Sequence, residues 1–295
     1  MKKSGERECK YFLANIKGWC EVKDEPKVSI LIPTFNRPKF LNKSLMSAVM
    51  QSYKNIEIVI CDDSTNYESK QVVSKYMKRY KNIRYYFNNG PLGKFGLNNM
   101  NRCYKLSKGK YINFLNDDDK FHENKIMKMV ECIQSYKNIS LVTSHRGIID
   151  KNDKVLRDIN ATKRIKYVNR PISGREVART IFSRGNFIGE PTTVLFKKEH
   201  IKKFGRLWGK QFCALVDIAA WLQLLSKGRF IYLSDTLSYF RIHDKQNTNK
   251  SSITRMFSIE WKELNYYAYK IGIINTNEYK QFLIQWKGEH SNIKA

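Results

Sequence analysis

The sequence predicts an α/β fold: a Rossmann-like mixed sheet flanked by helices, with a C-terminal helical extension. Three observations carry this expectation. Short apolar runs alternate with amphipathic stretches through the first ~120 residues, as parallel strands joined by right-handed crossovers require. Two of the runs end in acids, Asp62-Asp63 and Asp117-Asp118-Asp119, which this topology brings to one edge of the sheet. Beyond Lys245 a polar stretch leads into two amphipathic segments, near 253–270 and 276–287.

Residues 1–26 are polar and mixed in charge, and no apolar stretch follows the basic start, so no signal peptide is expected. Val28–Ile32 reads as a buried strand that Pro33 stops. Arg37-Pro38 opens a helix with proline in its first turn and Leu41, Leu45 and Ala48 on its core stripe. Ile56–Cys61 is the second strand, and a helix follows through Val72, Val73, Tyr76 and Met77. Ile83–Phe87 is the third strand, ended by Asn88-Asn89-Gly90, and another helix runs to about Leu106. The central strand begins at Tyr111 and stops at the Asp triplet, because Asp is a poor strand former and adjacent carboxylates repel.

After the triplet, His122 to Gln134 reads as a helix and Ser140–Ser144 as a strand. Ile148-Ile149 and Val155-Leu156 flank a polar turn as a hairpin. A helix is expected from Arg175 to Phe182, then a loop from Gly189 into a strand at Phe196. Cys213 to Ser226 is a helix that places Asp217 and Trp221 one turn apart on one face. Phe230–Leu233 and Leu237–Ile242 read as two strands around a turn at Ser234-Asp235.

At 295 residues with 42% hydrophobic content, the chain can build one large or two small domains. No window approaches ~18 uninterrupted apolar residues, which excludes a membrane-spanning helix. The six cysteines form no Cys-x-x-Cys pair, so neither a zinc site nor a disulfide frame is indicated, and a reducing cytoplasm suits them. The net charge of +27 attracts nucleic acid, anionic membrane or anionic small molecules. It is densest between Lys151 and Lys210, with 16 basic and 5 acidic residues. Acids at the carboxyl end of a strand in an open sheet stand where ligands bind. They can hold a hard cation whose shell a diphosphate completes.

Val28-Ser-Ile-Leu-Ile-Pro-Thr-Phe-Asn-Arg-Pro38 resembles the opening strand and loop of family-2 glycosyltransferases of the GT-A fold. Asp62-Asp63-Ser64, Asn88-Asn89-Gly90, the Asp triplet, Asp217 with Trp221, and Arg241-Ile242-His243 with Gln246 follow in that family's order. The resemblance covers about residues 28–247, which leaves 1–27 as a lead-in and 248–295 as the helical extension. It implies transfer of a sugar from a nucleotide-diphosphate donor, a UDP-sugar first of all, with Mg²⁺ or Mn²⁺. Pro33, Thr34, Asn36 and Arg37 would border the donor, Asp62 would accept hydrogen bonds from the base, and Asp63 lies beside it. Lys94 would meet the base or diphosphate. The family's Asp-x-Asp falls on Asn116-Asp117-Asp118, so Asp118 would ligate the metal and Asp117 would lie on the donor side. Asp119 accompanies the motif. Arg241 would approach the diphosphate, with His243 as a second metal ligand. Glu190, Trp221 and Asp119 would line the acceptor or sugar pocket, and Asp217 would be the base of an inverting transfer.

Three positions depart from the pattern. Asn116 replaces its first Asp, Lys39 stands where Glu is frequent, and Ala219 replaces a second acid after the base. The acceptor is left as a glycan, a lipid-linked glycan or a protein. Trp261, Tyr266, Tyr267 and Trp286 either meet an anionic inner membrane face or pack the extension onto the core. The rival reading is a non-catalytic binder of nucleic acid or another polyanion. It would want aromatics interleaved with basic residues on an exposed sheet, whereas here the aromatics lie in apolar runs and the acids gather at strand ends. No nucleic-acid partner is therefore expected. A nucleotidyltransferase would want a Gly-rich basic loop after the first strand, which Pro33–Arg37 is not.

Overall fold

The computed structural model describes residues 25–165, 169–244 and 251–289, so residues 1–24 and the Gln246 landmark lie outside the described residues. β1 (Val28–Thr34), β2 (Ile56–Asp62), β3 (Ile83–Phe87) and β4 (Tyr111–Phe114) pair in parallel. They are joined by α1 (Pro38–Val49), α2 (Glu68–Arg79) and α3 (Leu97–Leu106). Then come β5 (Lys120–Phe121), α4 (Lys125–Ser135), β6 (Ile139–Ile149), β7 (Val155–Leu156), α5 (Gly174–Arg184) and β8 (Leu195–Lys197). The ribbon of β9 (Arg206–Leu207) and β10 (Lys210–Gln211), α6 (Val216–Leu225), β11 (Arg229–Arg241), α7 (Ser251–Lys270) and α8 (Thr276–Glu289) complete the chain. The main sheet runs β3-β2-β1-β4-β8-β6-β11-β5, with β7 hairpinned onto β6 as expected. β8 lies antiparallel to both β4 and β6, which makes the sheet mixed.

The expected elements form because their apolar residues have two faces to cover. In β1, Leu31 points to one core layer with Val59, Phe114 and Trp221, while Ile30 and Ile32 point to the other with Leu45, Met129 and Val142. Each such buried side chain contributes about 1.5–3 kcal/mol. Pro33 does not stop β1. Its pairing with β2 runs on through Pro33↔Cys61 and Thr34↔Asp62, while β4 pairs with β1 only as far as Leu31↔Phe114. The missing N–H falls on the side where β4 has already left the sheet.

β11 is one strand rather than two. The expected turn at Ser234-Asp235 is a bulge, where the register with β6 slips between Leu233 and Thr236 and then continues to Arg241↔Ile149. β5 pairs with β11 before the next helix, so α4 starts at Lys125 rather than His122. Helix α7 buries Leu264 and Ala268 and stacks Trp261 on Phe182 at 5.7 Å, while Trp208 meets Tyr267 at 5.9 Å. The extension thus packs on the core. Among the described residues no helix is long and apolar enough to cross a membrane.

Candidate active site

The carboxyl ends of β1, β2, β4 and β11 meet at one edge, because all four strands run the same way. Beyond Thr34 the chain turns at Asn36, whose φ of 51° is left-handed, a region that asparagine tolerates well. The Asn36 amide N–H donates to Ser64 Oγ at 2.8 Å, and its side-chain oxygen accepts from the Thr65 N–H at 3.1 Å. This turn swings Arg37 over the Asp triplet. Arg37 Nη1 lies 3.1 Å from Asp117 Oδ1 and 2.8 Å from Asp118 Oδ2.

The three acids have three different environments. Asp117 is buried, and its Oδ2 accepts from Thr34 Oγ1 at 2.8 Å and from the Phe35 N–H at 3.2 Å. Burial, then the neighbouring Asp118, push its pKa up to about 6, against the pull of Arg37. Asp119 is buried too and accepts from Thr192 Oγ1 at 2.5 Å and from the Arg241 N–H at 3.1 Å. These bonds tie Asp119 to the loop at Thr192 and to the end of β11. Asp118 alone is partly exposed, with Oδ2 3.1 Å from His243 Nε2 and the imidazole resting on Phe40 at 4.5 Å.

Among the described residues, no group of three or more His, Cys, Asp or Glu side chains is placed to hold a metal ion. Asp118 and His243 nevertheless bring an oxygen and an imidazole nitrogen together at a partly exposed edge. That pair fits a divalent cation shared with phosphate oxygens, not one caged by protein alone.

Other expected ligands are held inside the protein. Arg241 is fully buried, giving Nε to the Asp118 carbonyl at 2.6 Å, Nη1 to the Asp150 carbonyl at 2.7 Å and Nη2 to Asp153 Oδ1 at 2.5 Å. The tip of the β6–β7 hairpin supplies the Asp150 and Asp153 partners, so Arg241 ties that hairpin to the Asp118 backbone. Asp62 is likewise fully buried at the end of β2, bound by the Ser64 N–H at 2.8 Å and Tyr85 Oη at 2.6 Å. Asp63 accepts from Asn88 Nδ2 at 2.6 Å and from the Leu92 N–H at 3.1 Å, and burial raises its pKa. Lys94 is exposed on a left-handed turn and forms no ion pair among the described residues.

Asp217 stands in the first turn of α6. Its oxygens accept from Asn186 Nδ2 at 2.7 Å and the Ile218 N–H at 2.8 Å. Burial, with help from the charge of Glu190, pushes its pKa up to about 6. Glu190, held by Arg146 Nε at 2.9 Å, also raises the pKa of Asp119, so its charge reaches both acids. Trp221 is fully buried. Its Nε1 donates to the Gly189 carbonyl at 3.0 Å and so fixes the loop that carries Glu190. Gly189 has φ +106°, and a Cβ there would lie 2.7 Å from Thr193 Oγ1 and 2.8 Å from Arg146 Nη1. Asn186, Arg146, Asp153 and Tyr85 carried no signal of their own in the sequence, since their partners lie far away along the chain.

Fold and site together define a sugar transferase of the GT-A class. The chain belongs to glycosyl transferase family 2, whose model matches residues 29–205. It is therefore a glycosyltransferase. An uncharacterized glycosyltransferase of Nostoc sp. is 26% identical over 272 residues, 88% of this chain and 76% of its own. The GalNAc(5)-diNAcBac-PP-undecaprenol beta-1,3-glucosyltransferase of Campylobacter jejuni is 36% identical over 98 residues, 32% of this chain and 30% of its own. Among solved structures, S. aureus TarS 1–349 in complex with UDP-GlcNAc aligns with TM-score 0.62 at 16% identity, covering 91% of this chain and 73% of that one. Mannosyltransferase PcManGT from Pyrobaculum calidifontis in complex with GDP-Man and Mn²⁺ aligns with TM-score 0.57 at 13% identity, covering 90% and 72%. At these identities the two structures bear on the fold alone. This chain spans 44% of another TarS structure, so relatives of this kind include longer proteins.

Proposed function

We propose that the protein moves a sugar from a UDP-sugar to a hydroxyl of a glycan, lipid-linked or protein acceptor, with inversion at the anomeric carbon. The observation that carries this reading is the presentation of Asp118, alone of its triplet, between Arg37 and His243 at the carboxyl edge of the parallel strands. The neighbours solved with UDP-GlcNAc, and with GDP-Man and Mn²⁺, support a nucleotide-sugar donor. Thr34, Asn36, Arg37 and Asp63 border the donor on this reading, with Pro33 setting the loop. Asp118 and His243 would hold Mg²⁺ or Mn²⁺, which when bound supplies positive charge to the departing diphosphate.

Arg37 brings a fixed cation to the same phosphates. Asp217 takes the proton of the acceptor hydroxyl as that oxygen attacks the anomeric carbon from the face opposite the diphosphate. A carboxylate with a pKa of about 6 is ionised at neutral pH and more basic than an exposed aspartate, as this step needs.

The test is slow donor hydrolysis, followed by proton NMR over a panel of UDP- and GDP-sugars. The expected first product carries the inverted anomeric configuration, and Asp217→Asn slows its release about 10³-fold. A retained configuration, or undiminished turnover in Asp217→Asn, contradicts the reading.

A further inference from the structure

We propose that the C-terminal extension builds the acceptor site and that its occupant is a neutral sugar chain. This rests on the transferase reading above and names the substrate class that Asp217 serves. A cleft of about 940 Å³ opens beside Asp217 and runs between α5, the start of α6, α7 and α8. Its size suits a small ligand bound largely within the protein.

The walls are of two kinds. Phe257, Trp261 and Phe182 stack in series, at 6.5 Å and 5.7 Å and each tilted by 21°, as one aromatic surface. The lining also carries amides, among them Gln281 and Asn186, the latter bonded to Asp217 and to the Gly189 backbone. A pyranose has an apolar C–H face and a rim of hydroxyls, so it matches an aromatic surface edged by groups that both donate and accept.

Charge separates this occupant from others. Arg179 and Glu278, both on the cleft wall, pair with each other at 2.7 Å. Among the residues lining the cleft Asp217 is then the charge outside an ion pair, and an anionic chain placed against it would meet like charge. A lipid tail would press hydrocarbon against the Asp217 carboxylate and desolvate it. Asn186 Nδ2 donates to Asp217 Oδ2 at 2.7 Å, which joins the amide side of the cleft to the base.

The test uses fluorescently labelled protein on a printed glycan array, with the thermal shift by UDP plus Mn²⁺ as a parallel readout. The wild type is expected to bind a set of neutral glycans. Phe257→Ala and Trp286→Ala are expected to cut that signal about tenfold or more, Phe257→Trp to keep it, and all three to keep the UDP shift. Phe257 is 44% exposed, so its truncation leaves the core filled. Wild-type binding to no neutral glycan, binding to acidic glycans alone, or equal binding by the alanine variants overturns the proposal. Array binding by a wild type that shows no UDP shift overturns the acceptor role through the transferase reading. Array failure with the UDP shift intact overturns the cleft assignment alone.

Discussion

The Asp217 carboxylate is held by Asn186 and the Ile218 N–H, yet burial keeps its pKa near 6, well above the ordinary 3.8. Between those values the folded protein holds more protons than the unfolded chain. The stabilising contribution of Asp217 is therefore complete below about pH 4 and lost as pH rises through 6. Asp217→Asn keeps the shape without the charge. It is expected to gain about 3 kcal/mol over wild type as pH rises from below 4 to 7, read as a melting difference that widens with pH. Wild-type turnover should rise over the same interval as the base ionises, while donor affinity in Asp217→Asn stays near that of wild type. A constant melting difference across this range would remove the buried-charge account. Asp118, His243 and Asp217 stood out in the sequence by the family's order, and the fold brings Asp118 and His243 together at the strand edge. That Asp62, Asp119 and Arg241 turn inward was not legible, because Tyr85, Thr192 and the hairpin at Asp150–Asp153 occupy them.

Helix α6 gains its footing from the extension. Glu260 on α7 accepts from the N–H groups of Cys213, Ala214 and Leu215 at 2.8, 2.9 and 2.8 Å. These donors lie just before the helix that presents Asp217, where an anion is favoured by the helix dipole. Glu260→Ala leaves three donors short of a partner and should cost about 1–3 kcal/mol in denaturant unfolding. Transfer should fall while UDP affinity holds, and Glu260→Gln should recover part of both losses. Equal stability in Glu260→Ala would show that water replaces the carboxylate freely. The parallel half of the sheet could be read from apolar periodicity, which depends on each strand alone. The continuity of β11 could not, because its bulge answers to the register of β6. Nor could the run of β1 through Pro33, which depends on where β4 ends.

Across the whole molecule, the 28–247 segment and the extension share one core through Leu264, Ala268 and the Trp261–Phe182 stack. Ending the chain after residue 247 is expected to cost more than about 3 kcal/mol and to yield aggregating protein by light scattering. A soluble, cooperatively melting 28–247 fragment would contradict that. Part of the cationic surplus gathers apart from the Asp triplet. A cavity of about 710 Å³ near the amino end of β4 gathers Lys105, Lys110, Lys198, Lys202 and Lys203, while the triplet follows the carboxyl end of that strand. Composition gave the surplus, and only the fold shows where these five lysines lie. On the proposed reading Asp118 marks the donor site. Calorimetric titration of UDP into wild type and Asp118→Ala, in Mn²⁺ and in EDTA, tests it most directly. The account predicts wild-type affinity about tenfold or more tighter with Mn²⁺, and one weak affinity for Asp118→Ala in both buffers. Metal-dependent UDP binding that survives in Asp118→Ala would contradict it.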